Sequence, residues 1–156
     1  MGIITWPARR EDLPGVNELR RQVNELHVEG RPDIFRPGFG EELEDLASMM
    51  LDSDGAEILI AEQDGVVCGF AMVEYVDRPE SPYNLARRYS HVAEFGVDAA
   101  FRRRGVATAL MDAVREDAHV RGISRIELDV WAFNRDAVAF YDHYAFISTG
   151  ASWSWT

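Results

Sequence analysis

Apolar residues recur along the chain with two different spacings. From Val16 to Leu26 they stand three or four residues apart, which is the spacing of one helix face. Elsewhere, short runs are rich in β-branched and aromatic residues and are bounded by turn residues such as Asp64-Gly65, which predicts strands. The pattern predicts strands at 3–6, 57–62, 66–76, 92–97 and 126–131, and helices at about 12–26, 41–51, 104–119 and 134–143. It also predicts a loop at 27–40, a long loop or short helical insert at 77–90, and one or two closing strands within 145–156.

Residues 91–108, HVAEFGVDAAFRRRGVAT, combine a strand, an arginine-rich turn and the start of a helix. The first turn of a helix has backbone N–H groups without intrahelical partners, and the helix dipole favours negative charge there. Gly105 allows a ligand to approach the backbone closely, and the small side chain of Ala107 leaves room for it. The arginines add permanent positive charge. The segment therefore predicts a pyrophosphate site; the alternative is a helix start whose arginines are only solvated.

Composition favours one soluble α/β domain over residues 1–156. Of the 156 residues, 47% are hydrophobic, which is enough for a sizeable core. Apolar runs are shorter than the ~20 residues that span a bilayer, and the basic-then-apolar pattern of a signal segment is missing, so we expect no membrane contact and a cytoplasmic location. The single Cys68 excludes an internal disulfide and a cysteine-cluster metal site, and because no histidine has ligand spacing we expect no metal.

The charge distribution narrows the function further. The net charge is −11, and the segment between Arg36 and Arg78 holds acidic residues but no basic one. Such a surface disfavours nucleic acid as a partner and would attract a cationic amine. The alternative is a solvated acidic face that only keeps the protein in solution. All 16 basic residues are arginine, so a lysine Schiff base and a P-loop lysine are both excluded.

Two segments resemble one known family. Arg102-x-x-Gly105-x-Ala107, after a strand that ends at Val97, resembles the signature of the GNAT family of acetyl-CoA-dependent N-acetyltransferases. Residues 134–146, Asn134-x-x-Ala137-x-x-Phe140-Tyr141-x-x-x-Ala145-Phe146, resemble a second family segment. The family often has Pro where Ala99 stands and usually has Gly where Ala145 stands, which makes the backbone angle after the last helix the main departure.

The resemblance implies a fold and a cofactor. It implies a single GNAT-like α/β domain with a mixed, mostly antiparallel central sheet of 6–7 strands and about four helices, and acetyl-CoA as cofactor. The central strand is expected to splay from its neighbour at a bulge, which Gly96 would suit. The implied cofactor-binding residues are Phe95, Gly96, Val97, Arg102, Arg103, Arg104, Gly105, Val106, Ala107, Thr108, Asn134, Ala137, Phe140 and Tyr141.

Acetyl transfer to a primary amine calls for a base, an acid and donors to the carbonyl oxygen. An alkylamine with a pKa near 10.4 is almost wholly protonated at pH 7, so a cleft carboxylate that removes the proton accelerates the reaction. Glu94, within an apolar strand, is the candidate base, and His91 is a weaker alternative. Because strand residues alternate between the two faces of a sheet, Glu94 could instead be a non-catalytic glutamate that faces solvent. Tyr141 is the candidate acid toward the departing thiolate, and Tyr144, three residues on, is the second choice.

The acceptor is a small-molecule or peptide amine of unspecified class. Segment 31–39 and loop 77–90 correspond by resemblance to channel-lining regions, so Arg31, Asp33, Phe35, Tyr83 and Glu94 are candidate acceptor contacts. Asp33 would pair with an ammonium group, although residues of these types more often cap helices or hold a loop in place.

Three functions remain open at this stage. The first is an acetyl-CoA-dependent N-acetyltransferase. The second is a non-catalytic acyl-CoA-binding or sensing module on the same fold, which would need neither Glu94 nor Tyr141. The third is an unrelated anion-binding α/β domain that oligomerises through the aromatic tail Trp153-Ser154-Trp155; a homodimer is also an expectation for the first.

Overall fold

A computed structural model describes residues 2–148 and 153–155. Helices and strands follow one another in the order that the hydrophobic pattern and the resemblance predicted. The strands are β1 Ile4–Pro7, β2 Ala56–Gln63, β3 Val66–Arg78, β4 Arg87–Val97, β5 Ile126–Leu128, β6 Ile147–Ser148 and β7 Trp153–Trp155. The helices are α1 Leu13–Gly30, α2 Glu41–Leu51, α3 Val106–Val120 and α4 Arg135–His143.

The described strands form one seven-stranded sheet in the order β1-β2-β3-β4-β5-β7-β6. Only β4 and β5 pair in parallel; the other neighbours are antiparallel. The predicted α/β class, with a mixed and mostly antiparallel sheet and four helices, is confirmed. The antiparallel strands β2–β4 are joined by short connections, whereas α1 and α2 lie between β1 and β2, and the parallel pair β4–β5 requires α3 as its crossover.

Helices cover both faces of the sheet, so consecutive residues of a strand are buried on opposite sides. In β2, Ile58 and Ile60 pack with α1 and α2, whereas Leu59 and Ala61 pack with residues of α3. The core is therefore divided by the sheet into an α1/α2 side and an α3/α4 side. This division decides where each side chain of the site points.

A bulge in β4 separates two modes of pairing. Met72 pairs with Glu94, but Val73 pairs with Val92, so Ala93 is the extra residue. Beyond this point β4 continues to Val97, whereas its pairing with β5 ends at Val92–Leu128. The expected splay is present, but the bulge is at Ala93. The prediction that Gly96 provides it was wrong: a Cβ at Gly96 would lie 2.7 Å from Val23 Cγ2 and 2.8 Å from Phe70 Cε1, so this glycine permits close packing.

Element boundaries differ from the prediction in three places. α1 runs on to Gly30, past the predicted end near Leu26. The predicted 77–90 loop is much shorter, because β3 extends to Arg78 and β4 begins at Arg87, where cross-strand pairing outweighs the polar composition. β5 ends at Leu128, and residues 129–134 instead cross toward the end of α1.

The C-terminal part contains Ala145, where the family usually has glycine, and the predicted closing strands. Ala145 adopts φ +83°, and the N–H of Phe146 donates to the carbonyl of Tyr141 at 2.9 Å, which closes α4 in a Schellman motif. The alanine thus occupies the left-handed position that the family usually gives to glycine. Of the predicted closing strands within 145–156, the stretches 147–148 and 153–155 are strands, whereas 149–152 and 156 lie outside the described residues.

Candidate active site

A cleft of about 560 Å³ opens where β4 and β5 separate. One end lies on the α3/α4 side and is bordered by Val97, Arg102, Ala107, Asn134, Ala137, Phe140 and Tyr141. The other end lies on the α1/α2 side and is bordered by Val23, Leu26, His27, Phe35, Phe39, Leu43 and Leu46. Glu94, Phe95 and Gly96 of β4 lie between the two ends.

The bulge turns main-chain groups of β4 toward the cleft. The N–H of Ser90 donates to Arg125 O of the β5 side at 2.9 Å, and the N–H of Asp98 donates to Cys68 O on the β3 side at 2.8 Å. Because hydrogen-bonding direction alternates along a strand, the peptide groups of Phe95 and Val97 point away from β3. No β5 residue pairs with them, so these groups face the cleft and could hydrogen-bond a ligand.

The turn before α3 presents a set of free N–H groups. Arg103 and Gly105 have φ of +63° and +84°, and the first intrahelical bond runs from Ala109 N–H to Gly105 O at 3.0 Å. The N–H groups of residues 106–108 precede this bond and have no intrahelical acceptor. Open space surrounds Gly105, since a Cβ there would meet no atom within 4 Å. These donors, beside three exposed arginines, fit the pyrophosphate of coenzyme A.

Glu94 is held by an arginine that the sequence analysis did not single out. Arg20 Nε and Nη2 donate to the two carboxylate oxygens at 3.0 and 3.1 Å, and Arg20 Nη1 donates to Asn17 Oδ1 and Leu43 O. The side chain of Arg20 is 2% exposed, whereas that of Glu94 is 35% exposed. The bidentate pair fixes the carboxylate while leaving part of it open to the cleft.

A sequence signal for Arg20 existed. It follows Val16 by four residues and precedes Val23 by three, so the helical spacing puts it on the buried face of α1. A buried arginine requires an anionic partner, because an unpaired buried charge is very costly. The identity of that partner, 74 positions along the chain, depended on the tertiary structure.

Tyr141 and Tyr144 differ in what their hydroxyl groups contact. Tyr141 is 6% exposed, packs edge-on against Phe95 and borders the cleft. Its hydroxyl has no hydrogen-bond partner within 2–148 and 153–155, and burial raises its pKa above the ordinary value, so it keeps its proton. The Tyr144 hydroxyl instead donates to Asp112 Oδ1 at 2.5 Å. Of the two tyrosines, only Tyr141 is free to donate into the cleft.

The candidate acceptor contacts separate into two groups. Phe35 and Glu94 border the cleft. Arg31 and Asp33 do not: they pair with each other at 2.9 and 2.8 Å, which satisfies the carboxylate expected to bind an ammonium group. Tyr83 is 95% exposed on the β3–β4 loop and is not part of the cleft lining either.

Asn134 and His91 also have structural contacts of their own. Asn134 caps α4, its Oδ1 accepting from the N–H of Ala137 at 3.3 Å, while it borders the cleft as well. His91 lies between Glu74 (Nδ1 to Oε1, 3.4 Å) and Asp129 (Nε2 to Oδ2, 3.7 Å) and is not among the cleft residues. The geometry therefore favours Glu94 over His91 as the base.

The described residues contain no group of three or more His, Cys, Asp and Glu side chains that could hold a metal ion. Within the same residues, no helix is both long and apolar enough to cross a membrane.

Comparison with known proteins identifies the family. The model of the Acetyltransferase (GNAT) family matches residues 20–146. The chain therefore belongs to the GNAT family, as the two sequence segments predicted.

The chain is similar to named relatives over part of their length. It is 39% identical over 101 residues to the L-amino acid N-acetyltransferase AaaT of Escherichia coli, covering 62% of this chain and 57% of that protein. It is 29% identical to N-acetyltransferase 8 of Homo sapiens, covering 71% of this chain and 47% of the relative. The chain thus spans about half the length of the curated relatives it matches.

Solved structures share the fold. A mutant of the BH1408 protein from Bacillus halodurans superimposes with a TM-score of 0.89 at 24% identity, covering 94% of each chain. The aminoglycoside acetyltransferase AAC(6')-Iy, in complex with a CoA-containing bisubstrate analogue, has a TM-score of 0.76 at 21% identity, covering 96% of this chain and 93% of its own.

Proposed function

We propose that this chain is an acetyl-CoA-dependent N-acetyltransferase that transfers the acetyl group directly to a primary amine. The observation that carries this proposal is the split between β4 and β5, which exposes main-chain groups of Phe95 and Val97 between a carboxylate and a buried phenol. Membership in the GNAT family supports it. The names of the relatives support acetyl transfer to an amine, AaaT being an L-amino acid N-acetyltransferase.

Acetyl-CoA would bind along the α3/α4 end of the cleft and supply an activated acetyl thioester. The N–H groups of residues 106–108 and the exposed arginines would hold its pyrophosphate, and Asn134, Ala137 and Phe140 would contact its arm. The peptide N–H groups of Phe95 and Val97 would donate to a carbonyl oxygen that gains negative charge, and because they are fixed in a strand they need no reorganisation.

Glu94 would take the proton from the amine. The Arg20 guanidinium occupies one direction of each carboxylate oxygen, and the remaining lone pairs are available on the cleft side. A proton accepted there, directly or through a water molecule, converts the ammonium group into a nucleophile.

Tyr141 would donate a hydrogen bond to the departing sulfur. The raised pKa of its phenol lies above the ~8.5 of a thiol, so complete proton transfer from Tyr141 is uphill and hydrogen-bond donation is its main contribution. This refines the sequence-based role of general acid. The unengaged hydroxyl of Tyr141 supports this assignment over Tyr144, whose hydroxyl is bonded to Asp112.

A panel of amines tests the proposal, with free-thiol release from acetyl-CoA as the readout. The panel contains amino acids, polyamines, aminoglycosides and peptides with free N-termini, and coenzyme A binding is measured separately by calorimetry. Saturable thiol release that depends on an amine, with the acetylated amine identified by mass spectrometry, is the expected result.

The same measurements distinguish the alternatives. Coenzyme A binding without amine-dependent thiol release would favour the non-catalytic acyl-CoA-binding module. Failure to bind coenzyme A would favour an unrelated anion-binding domain. Sedimentation of the purified chain would test the proposed homodimer separately.

A further inference from the structure

The α1/α2 end of the cleft is built mainly from rings and aliphatic side chains. His27 and Phe35 stack with centroids 4.9 Å apart, Phe35 meets Trp131 edge-on at 5.4 Å, and Trp131 stacks on Phe133 at 6.1 Å. These four residues, here the aromatic wall, come from α1, the α1–α2 loop and the segment after β5; His27, Phe35 and Trp131 border the cleft, and Phe133 packs against Trp131. Leu26, Leu43 and Leu46 border the same end.

The aromatic wall is held in position by tertiary packing. The ring of Phe133 rests against the last residue of α1, where a Cβ on Gly30 would lie 2.2 Å from Phe133 Cε1. The segment 129–134 therefore leaves the sheet and contacts α1, which closes the cleft on this side. Arg31 lies over the Trp131 ring at 5.4 Å and covers its outer face.

Two ionisable groups lie among the apolar side chains at this end, Glu94 and His27. The Glu94 carboxylate is paired with Arg20 through two hydrogen bonds. Burial lowers the pKa of His27, an effect that outweighs the opposing influence of Glu94, so its imidazole is neutral at physiological pH. Asp129, next to Trp131 in the cleft lining, has a largely exposed side chain, so Glu94 is the carboxylate that lies among the apolar side chains, and this arrangement suits an amine on an apolar body.

We propose that the acceptor of this site is a primary amine carried on an apolar, preferably aromatic, body, and that Phe35 determines this preference. The proposal rests on the transferase function proposed above. The body of the acceptor packs against the aromatic wall with its amine directed to Glu94. Contact with the rings stabilises an apolar group, whereas the hydroxyl and additional ammonium groups of a hydroxylated polycation would be desolvated against apolar side chains. Polyamines and aminoglycosides are therefore disfavoured.

The test compares four amines on the intact chain, by binding and by turnover. The probes are 2-phenylethylamine, ethylamine, spermidine and kanamycin, with calorimetric affinity for the protein loaded with coenzyme A and thiol release from acetyl-CoA as the two readouts. We expect 2-phenylethylamine to exceed spermidine and kanamycin by about tenfold or more in both affinity and kcat/KM, equivalent to about 1.4 kcal/mol.

Substitution of Phe35 provides the internal control. Phe35→Ala is expected to lower affinity and kcat/KM for 2-phenylethylamine about tenfold while changing those for ethylamine by less than about twofold, because only the larger amine reaches the ring. Phe35→Leu, which keeps an apolar side chain, should fall between the two. Leu85→Ala, on the exposed β3–β4 loop, is the matched surface variant and should alter neither amine.

The outcomes separate this inference from the transferase proposal. If spermidine or kanamycin binds and reacts best, or if Phe35→Ala weakens ethylamine as much as 2-phenylethylamine, the inference is wrong while the transferase function stands. If the four amines bind in the expected order without any thiol release, the preference of the site for apolar amines stands as a binding property, and the transferase proposal is wrong.

Discussion

The two ends of the cleft differ in which part of the chain faces the ligand. At the α3/α4 end, peptide groups of β4 and of the turn before α3 face the cleft, and Gly105 leaves open space beside them. At the α1/α2 end, side chains from separate elements form the surface, with Arg20 and Glu94 joined across 74 positions of sequence. A cofactor shared by a whole family can be held by main chain, whereas an acceptor that varies requires side chains.

This difference predicts distinct consequences of mutation at the two ends. Changes at the main-chain end should act on coenzyme A affinity through backbone conformation. Changes at the side-chain end should act on the amine and leave coenzyme A affinity unaltered. The variants below test this division.

The largest effect is expected from Glu94→Gln. Loss of the base should lower kcat by about 10² to 10⁴-fold, the usual contribution of general base catalysis, with coenzyme A affinity unchanged. Steady-state thiol release measures kcat, and calorimetry measures coenzyme A affinity. The melting temperature of the variant measures the stability lost when the ion pair between Arg20 and Glu94 is broken. Glu74→Gln on β3 is the matched control: a similar loss of rate there would implicate its neighbour His91 as the base.

A smaller loss of rate is expected from Tyr141→Phe. Removing one hydrogen bond to a group that develops negative charge should lower kcat about tenfold to a hundredfold, and coenzyme A affinity should be retained. Tyr144→Phe is the control, because that hydroxyl is bonded to Asp112. Equal rates for Tyr141→Phe and wild type would remove Tyr141 from the mechanism.

Gly105→Ala tests the main-chain end directly. At φ +84° an alanine is strained by about 1–2 kcal/mol, and relaxation of the turn should weaken coenzyme A binding by roughly five- to thirtyfold. Gly122→Ala, at φ +72° beyond the other end of α3, introduces the same kind of strain away from the cleft. Both variants should unfold at lower urea concentration, but only Gly105→Ala should lose affinity; an unchanged affinity would contradict the proposed pyrophosphate site.

The smallest effect is expected from Ala145→Gly. α3 and α4 both end in a Schellman motif, with Gly122 in the left-handed position of one and Ala145 in that of the other. Glycine at 145 should relieve about 1–2 kcal/mol of strain and lose about 0.5–1 kcal/mol to the greater entropy of the unfolded chain, a net gain of up to roughly 1.5 kcal/mol. Urea unfolding measures this gain, and kcat should stay unchanged; a loss of stability would show that Ala145 is not strained.

Local signals were sufficient for the main-chain end of the site. The spacing of Arg102, Gly105 and Ala107 requires only the strand before it and the helix after it, and the structure has both. The helix 41–51 and the turn at Asp64-Gly65 were predicted for the same reason, since their determinants lie within a few residues of one another. The exposure of Phe95 and Val97 was implied by resemblance, but the bulge at Ala93 that produces it was assigned to the wrong residue.

The side-chain end was predicted less well. Of the proposed acceptor contacts other than Glu94, only Phe35 borders the cleft, because Arg31 and Asp33 satisfy each other and Tyr83 extends into solvent. Arg20 and Trp131 were missed. Their positions depend on how α1 packs on β4 and on the path of the segment after β5, and neither is encoded by local spacing.

The amino-acid sequence by itself determined the family, the order of helices and strands, and the strand–turn–helix segment 91–108, because each rests on residues close together in the chain. Only the tertiary structure decided that Arg20 holds Glu94, that within the described residues the hydroxyl of Tyr144 is bonded and that of Tyr141 is not, and that rings close the α1/α2 end of the cleft. Such contacts join residues far apart in sequence, and their partners are selected by packing on the two faces of one sheet.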